Sequence, residues 1–125
     1  MTEWTGKRAL VTGAGGFIGS QLTESLVRGG AQVRAFVRYN SRGDAGLLSQ
    51  LPKEITGELE IIAGDLRDTA AIDAAVAGID LVYHLGAIIS IPYSYKHPME
   101  TAETNFMGTL NVLLACRTHD VERLV

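Results

Sequence analysis

The chain has 125 residues, of which 46% are hydrophobic and 20% charged, and its formal net charge is −3. This length and composition are typical of one globular domain, and the slight negative charge argues against general electrostatic binding to nucleic acid or anionic membranes. The single cysteine, Cys116, excludes an intrachain disulfide, and no apolar run approaches the roughly 18 residues of a membrane span. Since no secretion signal is recognisable either, we expect a cytoplasmic protein with no nucleic-acid or membrane partner.

Apolar runs of strand length alternate with amphipathic segments along the chain. The run Arg8–Thr12 is too apolar to face water on either side, and a glycine-rich turn separates it from a predicted helix at Phe17–Arg28. Four further strands are predicted, at Gln32–Arg38, Leu59–Ala63, Leu81–Leu85 and Glu122–Val125. Residues 39–57 are expected to form a loop with a short helix near Leu47–Leu51.

Two more helices complete the predicted alternation. Asp68 or Thr69 can cap a short alanine-rich helix, and Pro98 suits the first position of a long helix that runs to about Thr118. Helix-length crossovers between strands predict an α/β fold, a doubly wound parallel Rossmann sheet with strand order 3-2-1-4-5. Because the sequence stops within the fifth strand, we expect residues 1–125 to be the N-terminal part of a cofactor-binding domain, truncated there and without its C-terminal substrate domain.

The glycine-rich turn lies directly between the first strand and the first helix. Gly13 permits the tight exit from the strand, Gly16 leaves the backbone amides accessible, and Gly19 allows close contact between helix and strand. Free amides at the start of the helix, together with the helix dipole, favour an anion there. A tight turn alone would also require glycine, but the strand–turn–helix context predicts the pyrophosphate site of a dinucleotide cofactor.

Four motifs along the chain resemble those of one enzyme family. The turn Gly13-Ala14-Gly15-Gly16-Phe17-Ile18-Gly19 resembles the Gly-x-x-Gly-x-x-Gly fingerprint of the extended short-chain dehydrogenase/reductase family, which includes NAD-dependent nucleotide-sugar epimerases and 4,6-dehydratases. The other three, in the family's order, are Gly64-Asp65-Leu66-Arg67-Asp68, Tyr83-His84-Leu85-Gly86-Ala87 and Asn105-Phe106-Met107-Gly108-Thr109. Together they cover nearly the whole chain.

The resemblance implies an NAD(P)-binding site and assigns residues to it. In the glycine turn these are Gly13, Gly15, Gly16, Phe17, Ile18 and Gly19. The ribose and pyrophosphate would be lined by Leu85, Gly86 and Ala87. Asp65 would hydrogen-bond the adenine amino group with Leu66 packed beside it, the alternative for Asp65 being a helix cap or turn residue. Asn105 would tie the long helix to the strand near the nicotinamide.

The end of the second strand bears on the choice between NAD and NADP. An NAD site needs an acidic residue about twenty positions beyond the turn, to accept a hydrogen bond from the ribose 2′-hydroxyl. The chain instead has Arg38, Asn40, Ser41 and Arg42. Because guanidinium groups form bidentate pairs with phosphate oxygens, these residues predict a 2′-phosphate and hence NADP. The alternative is NAD, with both arginines at the solvated surface and Arg38 stacked on the adenine.

The segment Ile88–Tyr95 follows the fourth strand, at the edge where open α/β sheets bind ligands. By resemblance, Ser90, Tyr93 and Ser94 would contact a sugar nucleotide. The alternative is an ordinary apolar loop that packs on a C-terminal domain. The residues around Arg38 and in this segment are most similar to bacterial sugar-nucleotide 4,6-dehydratases that act on N-acetylglucosamine nucleotides.

The resembling family transfers a hydride between substrate and cofactor with a serine or threonine, a tyrosine, and a lysine four residues after that tyrosine. No Tyr-x-x-x-Lys occurs in the chain, so we predict no catalytic residue in it, and no residue cluster has metal-ligand spacing. The resemblance implies that the whole protein is a sugar-nucleotide 4,6-dehydratase, a lyase that first oxidises C4, or an epimerase, and that this part alone is inactive. The alternatives are an NADP-dependent carbonyl reductase of the same fold and a non-catalytic nucleotide-sensing Rossmann module.

The long helix has two possible packing partners. Met99, Phe106 and Leu110 can pack on the chain's own sheet or on a second subunit. In the resembling family this helix joins a four-helix bundle with a partner, which predicts a homodimer through Pro98–Thr118.

A histidine and a cysteine, whose side chains can be reactive, are expected to lie in the core and not in a catalytic site. His84 follows apolar residues in a predicted strand, so we expect a hydrogen-bonded core histidine and not a base. Cys116 lies on the apolar stripe of the long helix, where a thiol acts as a small hydrophobic group.

Overall fold

A computed structural model of the protein describes residues 2–39 and 43–125. Five strands form its sheet, and they are β1 (Arg8–Thr12), β2 (Gln32–Arg38), β3 (Leu59–Gly64), β4 (Leu81–His84) and β5 (Arg123–Leu124). Their order is β3-β2-β1-β4-β5, and every adjacent pair is parallel. The predicted doubly wound sheet and its strand order are confirmed.

Helices lie in the connections between these strands. The α-helices of the described residues are α1 (Phe17–Arg28), α2 (Lys53–Thr56), α3 (Thr69–Val76), α4 (Ile91–Lys96), α5 (Pro98–Ala102) and α6 (Gly108–Thr118). A 3₁₀ turn at Gly46–Gln50 precedes α2, and a π-helical turn at Glu103–Met107 joins α5 to α6. These segments supply the long crossovers that parallel strands require.

Local sequence explains where two of the helices begin and end. The α1 helix stops at Arg28 because Gly29 caps it and Gly30 adopts a φ of 96°, in the left-handed region that favours glycine. The α3 helix begins after Asp68, whose carboxylate accepts a hydrogen bond from the Ala71 amide at 3.1 Å. Of the two residues predicted as possible caps, Asp68 is therefore the one used.

Two segments for which no regular strand or long helix was predicted contain short helices. The stretch 39–57 contains the 3₁₀ turn near the predicted place and also α2, which begins after Pro52. In the segment Ile88–Tyr95, for which an apolar loop was the alternative to a ligand-binding role, α4 occupies the part from Ile91 onward. Ser90 caps α4 by accepting a hydrogen bond from the Tyr93 amide at 3.3 Å. Helices this short are invisible to hydrophobic periodicity because they complete fewer than two turns.

Strand boundaries differ from the predicted ones by about one residue. The β3 strand extends to Gly64, which pairs with Arg38, and β4 stops at His84. The β5 strand is shorter than predicted, although the Glu122 amide still donates to Asp80 and the His84 amide to the Val125 carbonyl. Such end differences are expected wherever a ladder frays.

The core lies on both faces of the sheet. Because alternate strand residues point to opposite faces, Leu10 of β1 packs with α3 and α6 while Ala9 and Val11 pack with α1. All three are fully buried. This double burial explains why β1 is apolar at successive positions, as expected for a central parallel strand.

The strand order reverses between β1 and β4. Thr12, the last residue of β1, lies opposite Phe36 of β2 on one side and His84 of β4 on the other. The chain leaves β1 and β4 towards opposite faces of the sheet, which opens a crevice beyond their carboxyl ends. The sheet thereby places the glycine turn after β1 at the usual ligand site of an open α/β fold.

Candidate functional site

The glycine turn is held in place by contacts that only glycine permits. Gly13 has a φ of 67°, and a Cβ built on it would lie 2.8 Å from the amide nitrogen of Gly86. A Cβ on Gly19 would collide with the carbonyl oxygen of Gly13. The first glycine therefore makes the turn against the segment after β4, and the last brings α1 directly onto the turn.

The other two glycines differ in what surrounds them. A Cβ on Gly15 would lie 2.8 Å from the carbonyl oxygen of Ala45, and Gly15 accepts a hydrogen bond from the Leu47 amide at 2.9 Å. Gly16 has an ordinary φ of −81°, and the nearest atom to a Cβ there is the Gly13 carbonyl oxygen at 3.4 Å. The fold thus requires glycine at position 15, whereas at position 16 space is left on the crevice side.

The start of α1 offers an anion site that fits a pyrophosphate. Its N-cap, Gly16, has no side chain and so supplies no hydrogen bond to the first-turn amides, and Phe17 and Ile18 are largely exposed. Uncapped first-turn amides and the positive end of the helix dipole favour phosphate oxygens. The absence of a Cβ at Gly16 lets such a group approach the backbone.

A hydrogen-bond relay joins β1, β4 and α6 behind this turn. The buried Thr12 hydroxyl accepts the amides of Leu85 and Gly86, each at 3.1 Å, and lies 2.6 Å from Nδ1 of His84. Since Thr12 has a single hydrogen left to give, it donates to Nδ1, and Nε2 carries the ring proton. Nε2 then donates to the Thr109 hydroxyl at 2.9 Å.

The relay confirms that His84 is hydrogen-bonded through both ring nitrogens, and the residue is half-buried. Burial lowers the pKa of its imidazole, in keeping with the neutral ring that the partners require. The prediction for Cys116 is also confirmed, because its thiol is buried among core side chains and burial raises its pKa.

Asn105, in the π-helical turn, holds the segment that follows β4. Its Oδ1 accepts the Ile88 amide at 2.7 Å and its Nδ2 donates to the Ile88 carbonyl at 2.9 Å. Both ends of the amide are therefore bound to one residue, and Ile88 cannot shift without breaking two hydrogen bonds. Asn105 therefore links the π-helical turn to the segment after β4.

Two cavities lie at the carboxyl edge of the sheet. One, of about 580 Å³, is bordered by the glycine turn, by Ala45 and Gly46, and by the segment from Leu85 to Ala87. The other, of about 110 Å³, is bordered by Phe36, Asp65 and Leu66. Gly13, Arg38, Gly86 and Ala87 border both. The predicted pyrophosphate and adenine residues thus converge from three strand ends on one continuous crevice.

Charged side chains surround the smaller cavity. Arg67 forms an ion pair with Asp65 at 2.6 Å, and its guanidinium holds the pKa of that carboxyl below its usual range. Asp65 also accepts a hydrogen bond from the Arg67 amide at 2.9 Å, so it is a turn residue as well as a cavity wall. Arg38 forms an ion pair with Glu100 of α5 at 2.8 Å.

The predicted substrate residues are all engaged within the chain. Ser90 caps α4, and the Ser94 hydroxyl donates to the Ile91 carbonyl at 2.6 Å. The Tyr93 hydroxyl donates to Glu100 at 2.6 Å, which raises the pKa of the phenol. Of the predicted cofactor residues, Asn40, Ser41 and Arg42 lie outside the described part of the chain.

Three site residues were missed by sequence reasoning. Thr12 and Thr109 form the relay around His84, and Glu100 neutralises Arg38. Glu100 follows Pro98 in the first turn of a helix, where an acidic residue is expected on dipole grounds alone. Nothing in the local sequence therefore distinguishes it, whereas a threonine at the end of β1 could have been recognised as a buried hydroxyl in need of partners.

Two kinds of feature are absent from the part of the chain that the structure describes. No group of three or more histidine, cysteine, aspartate or glutamate residues there could hold a metal ion. No helix among the same residues combines the length and apolarity needed to cross a bilayer.

The sheet order, the switch point and the glycine turn define a Rossmann-fold protein. The family model described as GDP-mannose 4,6 dehydratase matches residues 10–125. The chain belongs to this family, and its resemblance to the extended short-chain dehydrogenases/reductases is confirmed.

Individual relatives show how broad the family is. The chain is 41% identical over 118 residues to the 2-alkyl-3-oxoalkanoate reductase of Stenotrophomonas maltophilia, covering 94% of the chain and 32% of that protein. It is 38% identical over 109 residues to the UDP-N-acetyl-alpha-D-glucosaminuronate decarboxylase of Bacillus cytotoxicus, covering 87% and 32% respectively. The chain spans about a third of the length of these relatives.

A solved structure shows the same fold with a cofactor present. The UDP-glucose 4-epimerase of Thermus thermophilus, in complex with NAD, has a TM-score of 0.77 and is 34% identical to the chain. The match covers 94% of this chain and 36% of that one.

Proposed function

We propose that this chain is the nicotinamide-cofactor-binding part of a longer oxidoreductive enzyme that acts on a sugar nucleotide. The observation that carries the proposal is the uncapped start of α1 at Gly16, which faces a cavity of about 580 Å³ at the switch point of the sheet. A pyrophosphate fits there because the first-turn amides lack acceptors and Gly16 leaves room for it.

The rest of the cofactor is assigned to the neighbouring walls. Asp65 and Leu66 would hold the adenine in the smaller cavity, and Arg38 would meet a 2′-phosphate, which favours NADP over NAD. The turn residues and Leu85, Gly86 and Ala87 would line the pyrophosphate and ribose. Asn105 would keep Ile88 in place beside the nicotinamide, which when bound supplies the hydride acceptor.

Direct binding measurements test this assignment. NAD and NADP are titrated into the chain by calorimetry, and we expect saturable binding of both with NADP the tighter. In a Gly16→Val variant we expect affinity to fall at least about tenfold, because the side chain stands between the backbone and the phosphates. Gly57→Val is the matched control, since Gly57 also has an ordinary φ of −66° but caps α2. Unchanged affinity in Gly16→Val would remove the proposed pyrophosphate site.

For the whole protein we propose a sugar-nucleotide 4,6-dehydratase or epimerase. Support comes from the family model and from relatives named for nucleotide-sugar chemistry, including a GDP-mannose 4,6-dehydratase 35% identical over 121 residues. Ser90, Tyr93 and Ser94, on the rim after β4, are proposed to contact the sugar nucleotide once their internal hydrogen bonds are exchanged. Incubation of the intact protein with a panel of sugar nucleotides should yield a 4-keto-6-deoxy or a 4-epimeric product.

A second candidate function is a carbonyl reductase. It is favoured by the 41% identity to a 2-alkyl-3-oxoalkanoate reductase. NADPH oxidation by the intact protein in the presence of a 3-oxoalkanoate, with no conversion of any sugar nucleotide, would select this candidate over the first.

We also propose a cytoplasmic homodimer formed through the helical segment from α5 to α6. Met99 and Phe106 on this segment are 71% and 72% exposed, while Leu110 is half-buried. Large exposed apolar side chains on one helix fit a partner subunit. Light scattering on the intact protein should give twice the monomer mass, and a Phe106→Glu variant should give the monomer mass.

A further inference from the structure

The Arg38 guanidinium, the proposed partner of a 2′-phosphate, already forms an ion pair within the chain. Its Nη2 lies 2.8 Å from Oε1 of Glu100, and the other oxygen of that carboxylate accepts the Tyr93 hydroxyl at 2.6 Å. The three residues come from β2, α5 and α4, so the cluster joins the adenosine end of the crevice to the rim after β4. Both oxygens of Glu100 are therefore engaged.

Glu100 binds Nη2 of the guanidinium, one of the nitrogens through which Arg38 could bind a 2′-phosphate. Carboxylate and phosphate oxygens both accept hydrogen bonds from the N–H groups of a guanidinium, so they compete for the same arginine. Arg38 borders both cavities, whereas its salt-bridge partner approaches from α5. A 2′-phosphate therefore competes with this carboxylate for Arg38, whereas a free 2′-hydroxyl does not.

Exposure indicates which partner stays fixed. The side chain of Glu100 is 22% exposed and that of Arg38 is 65% exposed. The hydrogen bond from Tyr93, followed by the charge of Arg38, holds the pKa of Glu100 below its usual range. Glu100 is therefore a fixed anion at neutral pH, and it would repel a phosphate that arrives at Arg38.

We propose that Glu100 is a specificity-determining residue of the cofactor site. Its carboxylate, positioned by Tyr93, competes with the 2′-phosphate for Arg38 and so narrows the preference for NADP over NAD. The inference rests on the proposed binding of a nicotinamide dinucleotide.

The test uses two probes that differ only in the 2′-phosphate, 5′-AMP and 2′,5′-ADP. Both are titrated calorimetrically into the chain at low salt, together with NAD and NADP. We expect Glu100→Gln to raise the affinity ratio of 2′,5′-ADP to 5′-AMP about tenfold, mainly through tighter binding of the former. Tyr93→Phe retains the charge of Glu100 but removes the hydrogen bond that positions its carboxylate against Arg38, so we expect a smaller rise of about two- to threefold.

Glu103→Gln is the matched control. It removes the same charge one turn further along the helical segment, where the Glu103 carboxylate lies 3.6 Å from Arg67. We expect its affinity ratio to stay within about twofold of the wild type. An equal rise in Glu103→Gln and Glu100→Gln would mean a general charge effect and would overturn the proposal.

The two hypotheses fail in different ways. If both probes bind but Glu100→Gln leaves their ratio unchanged, the role of Glu100 is refuted and the cofactor site stands. If neither the probes nor NAD and NADP bind the wild-type chain, the proposed cofactor site fails and the role of Glu100 falls with it. Urea unfolding of each variant confirms that the comparison is made between folded proteins.

Discussion

The two sides of the crevice are stabilised by different kinds of interaction. Where β1 meets β4, neutral groups form hydrogen bonds through Thr12, His84 and Thr109, and Thr12 is fully buried. Beyond the ends of β2 and β3, the groups are charged and partly exposed, as in the ion pairs of Arg38 and Asp65. Buried neutral hydrogen bonds are costly to break and exposed ion pairs contribute little to stability. The neutral side, between β1 and β4, can therefore keep the backbone in one conformation. On the charged side, beyond β2 and β3, a ligand can replace the partners of the ion pairs.

The tightest contact on the neutral side is at Gly19, so Gly19→Ala should have the largest effect. The added methyl group overlaps the Gly13 carbonyl oxygen, and α1 or the turn must move away. We expect a loss of about 3–4 kcal/mol in the free energy of unfolding, measured with urea. Gly16→Ala, where the nearest atom to the new Cβ is 3.4 Å away, should change it by less than about 1 kcal/mol. Equal losses in the two variants would contradict the packing role of Gly19.

Next in size is the effect of removing the buried hydroxyl of Thr12. Thr12→Val keeps the shape but leaves the Gly86 amide and Nδ1 of His84 without their partner, while the Leu85 amide keeps only the Thr12 backbone carbonyl at 3.3 Å. We expect a loss of about 2–3 kcal/mol in the free energy of unfolding. Thr12→Ser restores the hydroxyl and should recover most of that loss. If the serine variant is no more stable than the valine variant, the hydroxyl is not what holds the two strand ends.

A smaller effect is expected from His84→Asn, together with a change in pH dependence. The asparagine oxygen can still accept from Thr12, but the hydrogen bond to Thr109 is lost, so we expect a loss of about 1 kcal/mol at pH 7.5. Burial lowers the pKa of His84 below its usual 6.5. As pH falls from 7.5 to 5.5, His84 binds a proton in the unfolded chain but stays neutral in the folded chain. The free energy of unfolding of the wild type therefore decreases.

The variant lacks this titration and should lose less stability over the same pH range. Its other histidines are unchanged, so they cancel when the two proteins are compared. Parallel losses in wild type and His84→Asn would mean that His84 is not kept neutral by the fold.

The parts that could be predicted from sequence are those encoded by nearby residues. Strand and helix periods indicated the sheet order, and the spacing of Gly13, Gly16 and Gly19 indicated the turn after β1. Asp68 was one of two residues predicted as possible caps, and its partner, the Ala71 amide, is only three residues away. Each of these signals comes from residues that are close together in the sequence.

What escaped prediction depends on side chains that meet only after folding. Arg38 and Glu100 are 62 residues apart, and Thr12 and His84 are 72 apart. Arg38 alone indicated a phosphate, and the carboxylate that opposes it became visible only when α5 was placed beside β2. The short helix α4 was missed because its first turn depends on one cap, Ser90, and not on a hydrophobic period.

The smallest effect on stability is expected on the charged side, from Asp65→Asn. The amide oxygen can still accept from the Arg67 backbone, so only the ion pair at 2.6 Å is lost, and its partners are 45% and 37% exposed. We expect a change of less than about 0.5 kcal/mol in the free energy of unfolding.

Arg67 holds the pKa of Asp65 below its usual range, so this carboxylate loses its stabilising charge only as pH falls through that lowered value. Between pH 7.5 and 5.5, Asp65→Asn should therefore follow the wild type, and the remaining difference should vanish in about 1 M salt. A loss comparable to that of Thr12→Val would show that the charged side also fixes the backbone, and the distinction between the two sides would fail.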